Sequence, residues 1–148
     1  NVFDLGCAPG SWSQYASQKV GPKGFVLGLD RQKVNLTLPN VSFIQADVMT
    51  YKPERKDFDL VMSDMAPKTT GIRIRDQQAS YQLCLVAFEI AKVCLKTGGA
   101  FVIKFFHSEE FSQVISLLKS EFRKVEILRP KSTRKESKEI YIVGISRT

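Results

Sequence analysis

At 148 residues the chain is long enough to bury a core as one compact unit, and its 43% hydrophobic and 25% charged content suits a globular protein, not a disordered or fibrous one. It holds no apolar run near the roughly 18–20 residues of a membrane helix and no basic–apolar leader, which argues against a membrane-spanning or secreted protein. The net charge of +7 is concentrated, because residues 123–148 carry eight Lys/Arg against three Glu. Such a tail suggests a polyanionic partner, with a lysine-guarded strand edge as the plainer alternative.

In chain order, Val2–Leu5 reads as a short buried strand, followed by a Gly/Pro turn and a helix from Ser11 to Val20. An apolar strand that begins almost at Asn1 leads us to expect a further segment upstream. Gly21-Pro-Lys-Gly24 breaks the helix, and Phe25–Leu29 forms a second strand that ends at Asp30. Asn35 and Pro39-Asn40 interrupt the next stretch, so no long helix is expected there. Val41–Gln45 and Phe58–Ser63 are strands that end near Asp47 and at Asp64. A loop from Met65 to Asp76 precedes a helix over Gln77–Lys96, with Gly98-Gly99 as its stop. Ala100–Phe105 is a fifth strand and Glu110–Phe122 an amphipathic helix. Val125–Leu128 and Ile140–Ile145 close the pattern across the basic loop Arg129–Lys138.

Strands alternating with helices predict an α/β, Rossmann-like fold: a mostly parallel seven-stranded sheet with helices on both faces, as a single domain over residues 1–148. Ligands of such sheets sit beyond the carboxyl ends of the strands. That edge collects Gly6–Gly10, Asp30, Asp47, Asp64 and Lys104. Cys7, Cys84 and Cys94 are odd in number and lack metal spacing, so they read as reduced thiols with no metal.

The glycine loop Gly6-Cys-Ala-Pro-Gly10 opens a helix but is not the G-x-G-x-x-G dinucleotide fingerprint. With Pro9 inside the turn it offers fewer N–H groups to a pyrophosphate and suits close approach of a neutral or zwitterionic ligand. Asp30, at the end of the second strand, can accept ribose hydroxyls. Asp47 can accept an adenine amino group or, more plainly, close a turn.

Four segments carry a resemblance: Asp4-Leu-Gly-Cys-Ala-Pro-Gly-Ser-Trp-Ser-Gln14, Val61-Met-Ser-Asp-Met-Ala-Pro67, Phe101-Val-Ile-Lys-Phe105 and Ser137-Lys-Glu-Ile-Tyr141. In order and spacing they resemble the FtsJ/RrmJ (RlmE) ribose 2′-O-methyltransferases over essentially the whole chain. The resemblance implies S-adenosyl-L-methionine as cofactor, with contacts on Gly10, Trp12, Asp30, Asp47 and Asp64 beside the loop residues Gly6 and Pro9. It also implies catalytic roles for Asp64, Lys104 and Glu139. The family's first catalytic lysine precedes the glycine loop, in a helical segment that this sequence does not contain.

Those residue types suit the reaction. An in-line displacement needs oxygen, methyl and sulfur held collinear, and the 2′-hydroxyl must lose its proton. Lys104 is the candidate base or oxyanion stabiliser, Asp64 its orienting partner, and Glu139 positions the amine or the ribose. His107, in a loop past Phe105-Phe106, is given no role. Arg73 and Arg75 beside Asp64, and Lys131, Arg134, Lys135 and Lys138 beside Glu139, are the expected RNA contacts.

The resemblance points to a uridine of large-subunit, 23S-type ribosomal RNA, with transfer RNA and the mRNA cap as alternatives. A monomeric cytoplasmic or organellar protein is expected. The competing classes are a non-catalytic RNA- or ribosome-binding module and an NAD-dependent oxidoreductase. An amino-methylating enzyme would show Asn/Asp-Pro-Pro-aromatic after the fourth strand, and a cytosine-C5 enzyme would need Pro-Cys; neither is present.

Overall fold

The computed structural model describes residues 1–130 and 139–148. Seven strands form one sheet in the order β3-β2-β1-β4-β5-β7-β6. They are β1 (Val2–Leu5), β2 (Val26–Asp30), β3 (Val41–Gln45), β4 (Phe58–Ser63), β5 (Leu95–Phe106), β6 (Phe122–Leu128) and β7 (Glu139–Arg147). The first five run parallel, and β7 lies antiparallel to both β5 and β6. The order reverses at β1, where one crossover leads to β2 and a later one to β4. That reversal opens a crevice at the carboxyl ends of these strands, the usual ligand position in a doubly wound sheet.

Strand alternation divides the core into two layers. Phe3, Leu5, Val61, Phe101, Ile103, Phe105, Ile140 and Ile142 pack with helices α2 (Arg73–Cys94) and α3 (Phe111–Glu121) on one face. Val2, Val26 and Met62 meet Ala16 and Trp12 of α1 (Ser11–Lys19) on the other. Helices therefore cover both faces. None of the described helices is long and apolar enough to cross a membrane.

Several boundaries differ from the sequence expectation, two of them by four residues or more. Helix α2 begins at Arg73, four residues before Gln77, because Asp76 accepts the N–H and Oγ1–H of Thr70 (both 2.8 Å) and fixes its first turn. Arg73, Ile74 and Arg75 are exposed there, so the turn carries no buried stripe for periodicity to reveal. The other difference is at Gly98-Gly99. Helix α2 has already ended at Cys94, and both glycines lie within the span of β5 near a register shift against β4.

Candidate active site

The first loop turns on Gly6, where φ is +72° and an added Cβ would meet the Met65 side chain. The left-handed backbone favours glycine here, and the Met65 side chain, just past β4, packs against it. Ala8 N–H donates to Asp30 Oδ2 at 2.9 Å, and Gln32 N–H donates to Oδ1 at 2.8 Å. Asp30 thus ties the glycine loop to the turn after its own strand. Asp47 accepts Met49 N–H at 2.9 Å and faces Arg31 Nε at 4.0 Å, so it does close a turn.

An open cleft of about 960 Å³ runs along this edge, lined by Gly6, Ala8, Asp30, Asp47, Asp64 and Met65 among others. Its volume suits an organic cofactor. Behind it lies Asp4, 1% exposed, whose Oδ2 accepts Ser13 Oγ–H at 2.7 Å while Oδ1 has no partner among the described residues. Burial, above all, raises the Asp4 carboxyl from 3.8 to about 6; the Ser13 hydrogen bond works against this, and the Asp64 and Asp30 charges add to it. An acid inside the apolar run Val2-Phe3-Asp4-Leu5 was the available sequence signal, since a buried carboxylate is costly without a partner. Sequence reasoning passed over it.

The excess of acids decides between ligand types. Three carboxylates, Asp30, Asp47 and Asp64, line the cleft with two cations, Arg31 and Lys68, and Asp4 stands behind it as a fourth acid. A pyrophosphate would meet repulsion here. A ligand with positive centres would relieve the strain on Asp4, and S-adenosylmethionine carries two, its sulfonium and its ammonium. The residues fit that cofactor.

The second half of the site lies where β4, β5 and β7 meet. Register places Lys104 opposite Tyr141 and Phe106 opposite Glu139. Lys104 Nζ is 3.0 Å from Asp64 Oδ1 and 4.0 Å from Glu139 Oε2, with its side chain 15% exposed. The Tyr141 hydroxyl donates to the same Asp64 Oδ1 at 2.8 Å. Burial first, and Asp64 second, raise the Tyr141 phenol well above its ordinary value, so it remains a neutral donor. Asp64 belongs to both halves, lining the cleft and holding the lysine.

Pro9 is exposed, and neither it, Gly10 nor Trp12 is among the cleft-lining residues. Gly10 is the N-cap of α1, and Trp12 packs at a tilt against Tyr141 with ring centroids 5.8 Å apart, on the lysine side of the site. Arg73 and Arg75 project from the first turn of α2, which Gln77 fastens to the His107 carbonyl at 3.4 Å. His107 itself packs on Phe111. Lys131, Arg134, Lys135 and Lys138 lie outside the described residues.

A doubly wound sheet with a glycine loop and an acidic cleft at its reversal point defines the class: this is the S-adenosylmethionine-dependent methyltransferase fold. Human methyltransferase-like protein 13, solved with S-adenosylhomocysteine, shares it at a TM-score of 0.68 and 14% identity, over 98% of this chain and 71% of that one. The model of the FtsJ-like methyltransferases matches residues 1–147, and the chain belongs to that family. It is 51% identical to the ribosomal RNA large subunit methyltransferase E of Bdellovibrio bacteriovorus, over 99% of this chain and 79% of that protein. Its identity to the protein of the same name from Desulfatibacillum aliphaticivorans is 49%, over 99% and 73%. A Plasmodium falciparum structure described as a ribosomal RNA methyltransferase superposes with a TM-score of 0.86 at 26% identity, covering 99% and 85%.

Proposed function

We propose that this methyltransferase acts on the ribose 2′-hydroxyl of an RNA, and that its substrate is large-subunit ribosomal RNA. The observation that carries the reading is the junction at Asp64: one carboxylate lines the cofactor cleft and also holds the Lys104 ammonium at 3.0 Å. A nucleophile beside Lys104 therefore lies next to the cofactor cleft, which lowers the entropic part of the barrier.

Gly6, Asp30 and Asp47 would hold the cofactor's nucleoside portion, with Asp4 supplying compensating charge from behind. When bound, S-adenosylmethionine supplies an electrophilic methyl group on its sulfonium sulfur. Lys104 meets the 2′-oxygen and, as the amine, takes the hydroxyl proton while the oxygen bonds to the methyl carbon and the carbon–sulfur bond breaks. Asp64 and the Tyr141 hydroxyl fix the direction of the ammonium, and Glu139 flanks it on the opposite strand. The 2′-oxygen must enter a recess, since Lys104 is largely covered. Arg73 and Arg75 would track the phosphates beside it. The names of the two relatives at 49–51% identity support ribosomal RNA as the substrate. The nucleotide is proposed as a uridine, and the protein as a cytoplasmic or organellar monomer.

The test is incubation with labelled S-adenosylmethionine and undermethylated large ribosomal subunits, with transfer RNA and capped RNA in parallel. The expected product is an alkali-resistant dinucleotide that carries a 2′-O-methylribose from the large-subunit RNA. Label on a base, or on transfer or capped RNA alone, overturns the reading.

A further inference from the structure

Lys104 lies beyond the last residue of β5 that β4 can support. The β4–β5 register ends at Ser63 opposite Ile103, and the chain turns away at Asp64. Along a strand, the N–H and C=O of alternate residues point to the same edge. The carbonyl of Lys104 and the N–H of Phe106 therefore face the side that β4 has just vacated. Left unpaired in a largely covered site, each would cost about 1–3 kcal/mol.

Helix α2 supplies both partners. Cys84 Sγ, 3.4 Å away, donates to the Lys104 carbonyl, and Ser80 Oγ accepts Phe106 N–H at 3.2 Å. Ser80 and Cys84 are four residues apart, one helical turn, which matches the two-residue advance along the strand. Ser80 is 4% exposed and Cys84 5%. Burial raises the Cys84 thiol to about 12, which keeps it protonated as a donor. Neither residue touches the cleft or the ammonium. Cys84 itself belongs to the apolar core with Ala87, Phe88 and Ala91, whereas Ser80 is a buried polar group beside it.

We propose that Ser80 and Cys84 are positioning residues for methyl transfer: they take the place of β4 beyond its end and clamp the β5 backbone on either side of the Lys104 side chain, so that its ammonium stays against Asp64. The proposal rests on the reading that Lys104 acts at the reacting oxygen. The clamp acts on the geometry of one amine and leaves the cofactor side of the sheet alone, so it should appear in kcat and not in binding.

The test uses the full protein with Ser80→Ala, Cys84→Ala and Cys84→Ser, assayed beside Lys104→Ala well below each variant's melting temperature. Ser80→Ala is expected to lower kcat about 10- to 100-fold, the scale of a small misplacement of a reacting group. Its KM for RNA and Kd for S-adenosylmethionine should stay within about twofold, and its pH–rate profile should shift as the Lys104–Asp64 contact loosens. Cys84→Ser, which keeps a donor, should retain activity, and Cys84→Ala should lose part of it. Should Ser80→Ala fail to fold, amide exchange in the unaltered protein decides: the Phe106 N–H must be as protected as the interior of β5. A freely exchanging Phe106 amide, or a Ser80→Ala enzyme with unchanged kcat and pH profile while Lys104→Ala is inactive, overturns the clamp alone. A fully active Lys104→Ala enzyme overturns both the clamp and the role of Lys104.

Discussion

Between β1 and β3 the carboxyl edge of the sheet carries Asp30 and Asp47, with Asp4 buried behind them. Between β4 and β7, Asp64 and Glu139 share Lys104. In the first region Arg31 faces Asp47, while Asp4 is buried with one carboxyl oxygen unpartnered among the described residues, and that burial, above all, raises its carboxyl. The second carries its own cation among two acids, a lysine fixed by a carboxylate that a tyrosine also holds. A region that binds a cationic cofactor gains by leaving the counter-charge to its ligand. A region that must present an amine at a defined point gains by supplying its own.

The largest effect is expected on the lysine side. Lys104→Ala should lower kcat by about 10²–10⁴, the range for loss of a proton-transfer or charge-stabilising group, with cofactor affinity within a few-fold of the original. Single-turnover kinetics and calorimetric titration with S-adenosylmethionine separate the two. Equal losses in both would erase the distinction between the regions.

On the cofactor side, Asp4→Asn should weaken cofactor binding about tenfold yet stabilise the ligand-free protein near pH 7.5. The folded value of about 6 stands above the ordinary 3.8, so the stability Asp4 contributes is full below about pH 4 and lost as pH rises through 6. Above that, the buried carboxylate costs on the order of 2–3 kcal/mol. Urea melts at pH 4, 5, 6 and 7.5 should show a fall in stability across this window that Asp4→Asn removes. A substitution that destabilises at pH 7.5 would mean that Asp4 carries no charge penalty.

The smallest effect belongs to Arg73 and Arg75, outside both regions. Each alanine substitution should weaken RNA binding a few-fold and lower the salt dependence by about one counterion, without changing kcat. RNA titrations at several salt concentrations measure the slope. An unchanged slope would remove α2 from the RNA path.

The alternation of apolar runs and helical spacing was enough to define the strand series, with β3 and β4 placed at Val41–Gln45 and Phe58–Ser63. A buried parallel strand must be apolar along its length and must end in a turn, and both properties are local. The polar residues at the strand ends, Asp30, Asp47, Asp64 and Lys104, were legible for the same reason. The start of α2 was not, because its first turn is exposed and is held by a Thr70–Asp76 contact that leaves no apolar period. Only the tertiary structure decided the partners. The antiparallel register of β7 against β5 brings Glu139 and Tyr141 to Lys104, and the end of β4 makes Ser80 and Cys84 part of the strand's hydrogen bonding. Burial is equally a property of the assembled sheet, so Asp4 gains its raised pKa only when helix α1 and the neighbouring strands close over it.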